Sequence, residues 1–332
     1  MAKLDKKIEA VIEIDHGSGG RKSSELIGEV KEILKFKSSW KNTDDDGAVF
    51  DLNGKKIVFT TDAYIVNPIF FPGGDIGKIA MCGTINDLAM MGAQPFGVSL
   101  SLVIEEGFPK ADLKKILCSI NNISQQIKVP IVTGDTKVME RGKLDKIEIT
   151  TAGIGIVKHI LSNSGANPGD VVISSGDLGE HATTLLAKRF NYKTKIKSDC
   201  KPLVEEIKAV AKYLSSAKDP TRGGISAVLN EVSERSKVKI IMEEDNLPFK
   251  KEISAIADLF GIDKFALPSE GRFVATVPVR HAKKVIARLK KFNREAKIIG
   301  EVKKGKGLYL KTALGSLRKI ELPEGKLIPR IC

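Results

Sequence analysis

Helical and extended hydrophobic patterns alternate along most of the chain, and this alternation constrains the fold more than any other feature. Asn53-Gly54 marks a hairpin turn between two extended runs. Asp75 is placed to cap a long apolar helix that reaches Met91. The alternation restarts after segment 163–170, which is dense in turn-forming residues. The sequence therefore predicts an α/β (α+β) protein of two domains joined near residue 165.

The composition describes a globular chain of ordinary polarity. Hydrophobic residues make up 42% of the 332 positions and charged residues 29%, which is enough for two cores. Residues 1–10 are polar, and no apolar window is long enough to span a bilayer, so we expect a cytoplasmic protein without membrane contact. The net charge of +13 is spread over many segments, aromatics reach only 5%, and no RNA or DNA module is recognisable. We therefore expect a solvated lysine-rich surface and no nucleic-acid partner.

The four cysteines lie far apart in the sequence and form no C-x-x-C pair. This spacing excludes a compact zinc site and is not typical of a disulfide framework. The last of them, Cys332, is also the last residue of the chain, so its thiol can enter a narrow pocket end-on. Pro329 fixes its own φ and biases Ile328 toward an extended conformation, which predicts a semi-stiff arm. A frayed terminus that ends in cysteine by chance is the open alternative.

Acidic residues at strand ends and in one helix indicate a metal site. No Walker A motif and no G-x-G-x-x-G after a strand is present. Asp45 precedes a strand, Asp62 and Asp135 follow strands, and Asp87 sits in an apolar helix where a carboxylate needs a partner or a metal. If these four segments converge, their oxygens suit Mg²⁺. Alternatively, each aspartate caps a turn.

Two glycine-rich segments are suited to phosphate binding. Residues 16–20 (HGSGG) precede a helix, so the amides of Gly17, Ser18, Gly19 and Gly20 can cradle an anion at its N-terminus. Residues 219–224 (DPTRGG) lead into another helix, with Arg222 placed to meet a phosphate. A flexible connector and a simple proline turn remain the alternatives for these segments.

Taken together, eight motifs resemble the HypE family of NiFe-hydrogenase maturation proteins. The family belongs to the superfamily of aminoimidazole ribonucleotide synthetase, selenophosphate synthetase and thiamine-monophosphate kinase. The match runs in order along essentially the whole chain, and the final PRIC is specific to the HypE family within the superfamily. The motifs are HGSGG (16–20), DDGAV (45–49), TTDA (60–63), NDLAMMGA (86–93), TGDTKV (133–138), DPTRGG (219–224), SEGR (269–272) and PRIC (329–332).

The resemblance implies a two-domain aminoimidazole ribonucleotide synthetase-like fold with a mobile C-terminal tail. On this basis residues 1–40 form an N-terminal glycine-rich segment and helix, and residues 41–160 an ATP-binding and dimerisation domain. Residues 161–315 form the C-terminal α/β domain, and residues 316–332 the tail that carries Cys332. A homodimer formed through strands of the N-terminal domain is also implied.

The resemblance further implies that ATP and Mg²⁺ drive the dehydration of a carbamoyl group on Cys332 to a thiocyanate. That group becomes the cyanide ligand of the hydrogenase iron. A carbamoyltransferase, HypF, loads the thiol, and the HypC–HypD complex receives the product.

The resemblance also implies roles for particular residues of the matched motifs. Glu270 is the expected base, although a solvated loop residue paired with Arg272 is the alternative. Lys137 is expected to neutralise charge on the carbamoyl oxygen or the phosphate. The expected metal ligands are Asp45, Asp62, Asp87 and Asp135. The expected nucleotide contacts are Gly17, Ser18, Gly19, Gly20, Asp45, Asp62, Asn86, Asp87, Thr133, Gly134, Asp135 and Arg222.

Two other functions stay open at this point. The first is a kinase or synthetase of the same superfamily that acts on a diffusible small molecule while Cys332 is idle. The second is a nucleotide-gated adaptor that uses its tail to dock a partner. Selenophosphate synthesis is disfavoured because no cysteine or selenocysteine stands within residues 16–20.

Overall fold

The computed structural model of the chain describes residues 11–34, 38–323, 328 and 330–332. The polar segment 1–10 and Pro329, on which the predicted stiffness of the arm depends, lie outside the described residues. Within the described residues, no helix is both long enough and apolar enough to cross a bilayer.

The first half of the chain forms a five-stranded sheet in the order β1-β2-β7-β5-β6. Neighbouring strands run antiparallel, except that β5 and β6 are parallel. Asn53 and Gly54, both with positive φ, close the predicted hairpin between β1 and β2. The strands are β1 (Ala48–Leu52), β2 (Lys55–Tyr64), β5 (Gln94–Glu105), β6 (Ile131–Met139) and β7 (Ile147–Val157), and a small separate ribbon pairs β3 (Phe70–Phe71) with β4 (Gly74–Asp75).

One helix of this half is buried on nearly all sides. The helices of this half are α1 (Arg21–Ile33), α2 (Ile76–Met90) and α3 (Lys110–Ile127). The carboxylate of Asp75 accepts the Lys78 amide at 2.9 Å, so the predicted N-cap of α2 is confirmed. α2 packs on β2 and β7, while Ala89 and Met90 at its end join a core cluster built mainly from the second half. This helix therefore belongs to both cores.

The second half forms a mixed seven-stranded sheet in the order β14-β13-β10-β12-β8-β11-β9. Its strands are β8 (Asp170–Ser174), β9 (Ser216–Lys218), β10 (Val238–Glu243), β11 (Val274–Pro278), β12 (Lys297–Lys304), β13 (Gly307–Lys311) and β14 (Leu317–Ile320). Its helices are α4 (Glu180–Arg189), α5 (Val204–Val210), α6 (Gly224–Ser236), α7 (Lys251–Phe260) and α8 (Val279–Leu289). Single 3₁₀ turns occur at Ile14–Gly17, Ala211–Tyr213, Glu244–Asn246 and Lys264–Ala266. Because β14 pairs with β13, the tail begins after Ile320 and not at the predicted residue 316.

A buried amide is one of the contacts that join the two halves. Asn86, on α2, has no exposed surface. Its Nδ2 donates to the carbonyls of Lys201 at 3.1 Å and Glu270 at 3.2 Å, and its Oδ1 accepts from the Leu203 amide at 2.8 Å. All three partners are backbone groups of the second half, so Asn86 fixes the position of the Glu270 loop relative to the first sheet.

The N-cap of α2 supplies a stability test. Asp75→Ala removes the acceptor of the Lys78 amide and of the Ser119 hydroxyl, so the free energy of unfolding should fall by about 1–2 kcal/mol. Urea denaturation measures this change. The matched control is Asp112→Ala in the first turn of α3, where the carboxylate only pairs with the exposed Lys115 and the loss should stay below about 0.5 kcal/mol. Equal losses in the two variants would contradict the capping role.

Candidate active site

A cleft between the two halves gathers most of the predicted site residues. It encloses about 550 Å³, which lies within the range of small-molecule sites, about 300–1,000 Å³. β2, α2, the loop before β1, the glycine-rich segment at 16–20, the turn after β9 and the Glu270 loop all contribute to its walls. The predicted residues that line it are Gly17, Gly19, Asp45, Asp62, Asp87, Arg222, Glu270 and Cys332.

The C-terminal thiol lies inside this cleft. The Arg222 Nε donates to the Cys332 Sγ at 3.4 Å. Burial, followed by the nearby charge of Glu270, raises the pKa of the Cys332 thiol to about 11. The inserted thiol is therefore protonated at neutral pH and a poor nucleophile where it lies.

The described end of the tail packs between the halves, with Arg330 in the left-handed region at a φ of +50°. The side chains of Ile328 and Ile331 are buried in a core cluster that also contains residues of α2 and α4. The amide of Ile65, just after β2, donates to the Cys332 carbonyl at 3.2 Å, and the amide of Asn67 donates to the Arg330 carbonyl at 3.1 Å. These two bonds extend β2 with a short strand-like pairing, so the described end of the tail is docked and not frayed.

Carboxylates dominate the electrostatics of the cleft. Asp45, Asp46, Asp62, Asp87 and Asp219 line it together with Glu270. Burial, and then the negative charges of Asp62 and Asp219, hold the pKa of Asp87 well above its usual range. Thr60 Oγ1 donates to Asp87 Oδ2 at 3.1 Å. Burial, followed by the charge of Asp46, also raises the pKa of Asp219 to about 7. Such a set favours positive charge, either as protons or as a cation.

One buried lysine offsets part of this negative charge. Lys218, at the end of β9, pairs with Asp46 and lies 3.4 Å from the nearer oxygen of Glu231. The second oxygen of Asp46, Oδ2, is buried and has no hydrogen-bond partner among the described residues. The cleft therefore contains more carboxylates than positively charged side chains.

Glu270 faces the cleft from a buried position. Only 2% of its surface is exposed, and its Oε1 has no hydrogen-bond partner in the described chain. Burial, and then the charges of Asp219 and Asp199, raise its pKa well above the usual value for a glutamate. Its amide donates to Asp199 Oδ1 at 3.0 Å, which holds the loop in place. A carboxylate in this setting is an effective proton acceptor once it is ionised. The solvated loop residue paired with Arg272 is not what the structure contains.

The glycine-rich segment closes one side of the cleft. Gly19 has a φ of +83°, and a Cβ at this position would lie 2.4 Å from the Arg222 Cβ. Only glycine therefore allows the segment to pack against the turn that carries Arg222. Ser18 lines a smaller pocket beside the tail, and Gly20 is the N-cap of α1. The N-terminus of α1 thus begins at the cleft, as an anion site requires.

Four predicted residues of β6 do not line the cleft: Thr133, Gly134, Asp135 and Lys137. The strand register gives the reason. Asp135 lies opposite Ser101, Ser101 opposite Thr150, and Thr150 opposite Ala63, so Asp135 shares the exposed face of the sheet with Ala63. Asp62, one residue away, points to the opposite face. The expected convergence of all four aspartates therefore does not occur within one protomer.

Asn86 is a second correction. It was expected to contact the nucleotide, but its amide is buried and fully used by the backbone of Lys201, Leu203 and Glu270. It does not line the cleft. Its contribution to the site is to position Glu270.

Several residues that were not predicted as site residues also line the cleft, among them Asp46, Tyr64, Lys218 and Asp219. Asp46 belongs to the run Asp44-Asp45-Asp46, and Asp219 opens the DPTRGG motif, so both had a local signal. Tyr64, whose hydroxyl donates to Asp62 Oδ2 at 3.1 Å, follows Asp62 on the same face of β2. Lys218 had no signal, because only the packing of β9 brings it to Asp46.

The described residues contain no group of three His, Cys, Asp or Glu side chains arranged to hold a metal ion by themselves. The raised pKa values of Asp87 and Asp219 and the unpartnered Oδ2 of Asp46 show that the cleft favours added positive charge.

Both halves of the chain match models of one protein family. Residues 44–157 match the AIR synthase related protein N-terminal domain, and residues 167–312 match its C-terminal domain. These segments coincide with the two sheets.

Similar proteins extend the match to the full length. The carbamoyl dehydratase HypE of Cupriavidus necator is 40% identical over 97% of this chain and 95% of its own. A crystal structure of a HypE–HypF complex contains a chain 39% identical, with a TM-score of 0.84, over 90% of this chain and 99% of that one. HypE in complex with ATP is 33% identical, with a TM-score of 0.81, over 97% and 100% of the two chains. The chain therefore belongs to the HypE family of AIR synthase-related proteins, as its motifs predicted.

Proposed function

We propose that this chain, an enzyme of the carbamoyl dehydratase family, acts on its own last residue. The substrate is an S-carbamoyl group on Cys332, and the product is an S-thiocyanate that supplies the cyanide ligand of a NiFe-hydrogenase iron. The observation that carries the proposal is the position of the Cys332 sulfur in the carboxylate-lined cleft beside Arg222 and Glu270. If Cys332 had no function, we would not expect backbone hydrogen bonds of the tail and a contact with Arg222 to hold its sulfur in the cleft.

The reaction needs ATP because the carbamoyl oxygen is a poor leaving group. That oxygen attacks the γ-phosphorus of ATP and displaces ADP, which leaves an S–C(=NH)–O–phosphate intermediate once one N–H proton has gone. Loss of the second N–H proton and departure of phosphate then form the C≡N triple bond. The balance is carbamoyl group plus ATP to thiocyanate, ADP and phosphate.

The residues of the cleft fit a magnesium–nucleotide complex. Mg²⁺ would supply charge neutralisation at the phosphates. Of the predicted ligands, Asp45, Asp62 and Asp87 line the cleft, and one or two of them at a time would hold the ion together with phosphate and water oxygens. Arg222 and the amides of the glycine-rich segment at the start of α1 would orient the phosphates. The ATP complex of a related HypE supports nucleotide binding by this fold.

Glu270 is the proposed base for the elimination. It is buried beside the inserted sulfur, has an unpartnered oxygen, and has a pKa that burial raises well above the usual value for a glutamate. Its burial also keeps water away from the phosphorylated intermediate, which would otherwise hydrolyse.

Loading of the thiol takes place outside the cleft. Inside, the pKa of Cys332 is about 11, so only about one molecule in 10⁴ carries a thiolate at pH 7. When the tail withdraws into water, the pKa of the Cys332 thiol returns to its ordinary value of about 8.5. A HypF-type carbamoyltransferase would therefore meet the extended tail, and the existence of a HypE–HypF complex supports this partner. Delivery of the product to a HypC–HypD iron complex requires the same withdrawal.

A homodimer is the proposed assembly because the outer face of the first sheet is apolar and uncovered. Trp40 packs on Phe50 and Phe59, with ring centroids 5.1 and 6.4 Å away. Phe59 and Ile156 are both more than 40% exposed, and their strand register places them on this face. An apolar sheet face of this kind marks a protein interface. A second copy of the chain is the occupant we propose, and it would bring Thr133, Gly134, Asp135 and Lys137 of β6 to the other protomer's cleft.

The elimination step is tested with Glu270→Gln. Because the amide cannot accept the proton, thiocyanate formation in a single turnover should fall by at least about 100-fold while ATP still binds. Mass spectrometry of the C-terminal peptide and a nucleotide-binding assay measure the two effects. The matched control is Glu206→Gln, which changes an equally buried glutamate with an unpartnered oxygen outside the cleft and should leave the yield intact. Cys332→Ala is the negative control and should accept no carbamoyl group. A normal thiocyanate yield from Glu270→Gln would rule out Glu270 as the base.

The dimer is tested with Ile156→Asp, which places a charge on the apolar face of β7. Sedimentation should show a monomer, and ATP turnover by the carbamoylated chain should fall at least tenfold because β6 no longer reaches a partner's cleft. Leu317→Asp, an exposed apolar position on β14 of the second sheet, should stay dimeric and active. A monomeric wild type, or an active monomeric variant, would refute the assembly.

A further inference from the structure

His181 contacts the tail but has no role in the proposed reaction steps. It is the second residue of α4 and has no exposed surface. Its Nε2 lies 2.8 Å from the carbonyl oxygen of Ile331, the residue before Cys332. Its Nδ1 lies 2.8 Å from Ser198 Oγ, and the Phe71 ring packs edge-to-face on the imidazole at 5.4 Å.

The hydrogen-bond partners fix the tautomer of this imidazole. A carbonyl oxygen only accepts, so Nε2 carries the hydrogen and donates to Ile331. Ser198 Oγ already accepts the Cys200 amide at 3.2 Å, so its own hydrogen points to Nδ1, which accepts. The neutral imidazole is thus fully satisfied. Burial, helped by the nearby Arg189 charge, outweighs the opposing effect of the Ile331 carbonyl and lowers the pKa of His181 to about 4.

We propose that His181 is the positioning residue of the tail: its imidazole fixes the Ile331 carbonyl and so sets the depth at which the Cys332 sulfur enters the cleft. The inference rests on the proposed function, since this depth matters only if the sulfur carries the reacting group. Arg189, at the end of the same helix, assists by bridging the carbonyls of Asn67 and Arg330. α4 therefore holds two successive carbonyls of the tail.

A pH dependence of docking follows. The docked tail acts on His181 in two opposite ways: its cover lowers the pKa of the imidazole and the Ile331 carbonyl raises it. Burial is the larger of the two effects, so we expect withdrawal to return the imidazole toward its ordinary pKa of about 6.5. Docking lowers that pKa and is therefore fully favoured above pH 6.5 and lost as the pH falls toward 4. The other groups that face the imidazole, which are Ser198, Phe71 and the Ile331 carbonyl, do not titrate in this interval, and Arg189 stays charged.

The test measures tail insertion without any chemistry on the carbamoyl group. The full-length chain is treated with a pyridyl disulfide, and modification of Cys332 is followed as the mass of the C-terminal peptide. His181→Asn keeps an acceptor for Ser198 but loses the donor to Ile331, so Cys332 should react about tenfold faster than in the wild type at pH 7.5. At pH 5 that ratio should fall to about one or below, because the wild-type tail is released as well. Taking the ratio cancels the intrinsic pH dependence of the thiol.

His181→Gln is the decisive companion variant. Its amide nitrogen replaces Nε2 but does not titrate, so Cys332 should be protected at pH 7.5 and remain protected at pH 5. Thr184→Val, which removes a buried hydroxyl of α4 bonded only within the helix, should behave as the wild type at both pH values. Thermal melting verifies that each variant is folded. A folded His181→Gln that is unprotected at pH 7.5, or a His181→Asn that reacts at the wild-type rate, overturns the inference.

The failure of this inference is distinguishable from failure of the proposed function. Labelling needs neither ATP nor a carbamoyl group, so protection by His181 can hold in a chain that makes no thiocyanate. Conversely, if the carbamoylated His181→Asn chain forms thiocyanate at the wild-type rate, His181 is only structural while the dehydration stands.

Discussion

The three hydrogen bonds of the Asn86 amide are the interaction on which the site depends. They lie in a fully buried position and connect α2 of the first half to the backbone at Lys201, Leu203 and Glu270 of the second. Loss of a buried amide that satisfies three backbone groups would leave those groups without partners, which costs far more than one exposed hydrogen bond contributes. The Glu270 carboxylate is thereby held opposite the carboxylates of β2 and α2.

The electrostatics of the cleft separate the two stages of the chemistry. Inside, a cluster of carboxylates and a buried glutamate keep the thiol protonated and are suited to a nucleotide with its cation. In the proposed reaction the withdrawn thiol has an ordinary pKa and takes up the carbamoyl group there. The docking bonds to Ile65, Asn67 and His181 are all accepted by backbone carbonyls of the tail, so they do not involve the side chain that would carry the group. The docking contacts need not change when the sulfur is modified.

Local signals in the sequence predicted much of this architecture. The Asn53-Gly54 hairpin and the Asp75 cap are set by neighbouring residues, so both were predicted and both are confirmed. The aspartates, Arg222, Glu270 and Cys332 were found through motifs, and their assembly in one cleft was expected. The placement of Asp135 was not expected. Asp135 lies on the opposite face of the sheet from Asp62, and this depends on how three successive pairs of strands are aligned, which the sequence does not show. Lys218 and His181 were missed for a related reason: Asp46 and Ile331, the partners that define their roles, are more than 100 residues away in the sequence, and no local pattern indicates such contacts.

The central claim is that the terminal sulfur carries the substrate of a dehydration within this cleft. The most direct test starts from the chain carbamoylated on Cys332 and compares the mass of its C-terminal peptide before and after addition of ATP and Mg²⁺. The account predicts the loss of the mass of one water molecule, with one phosphate released for each thiocyanate formed. ATP consumption that leaves the carbamoyl mass unchanged, or that proceeds equally in Cys332→Ala, would contradict it.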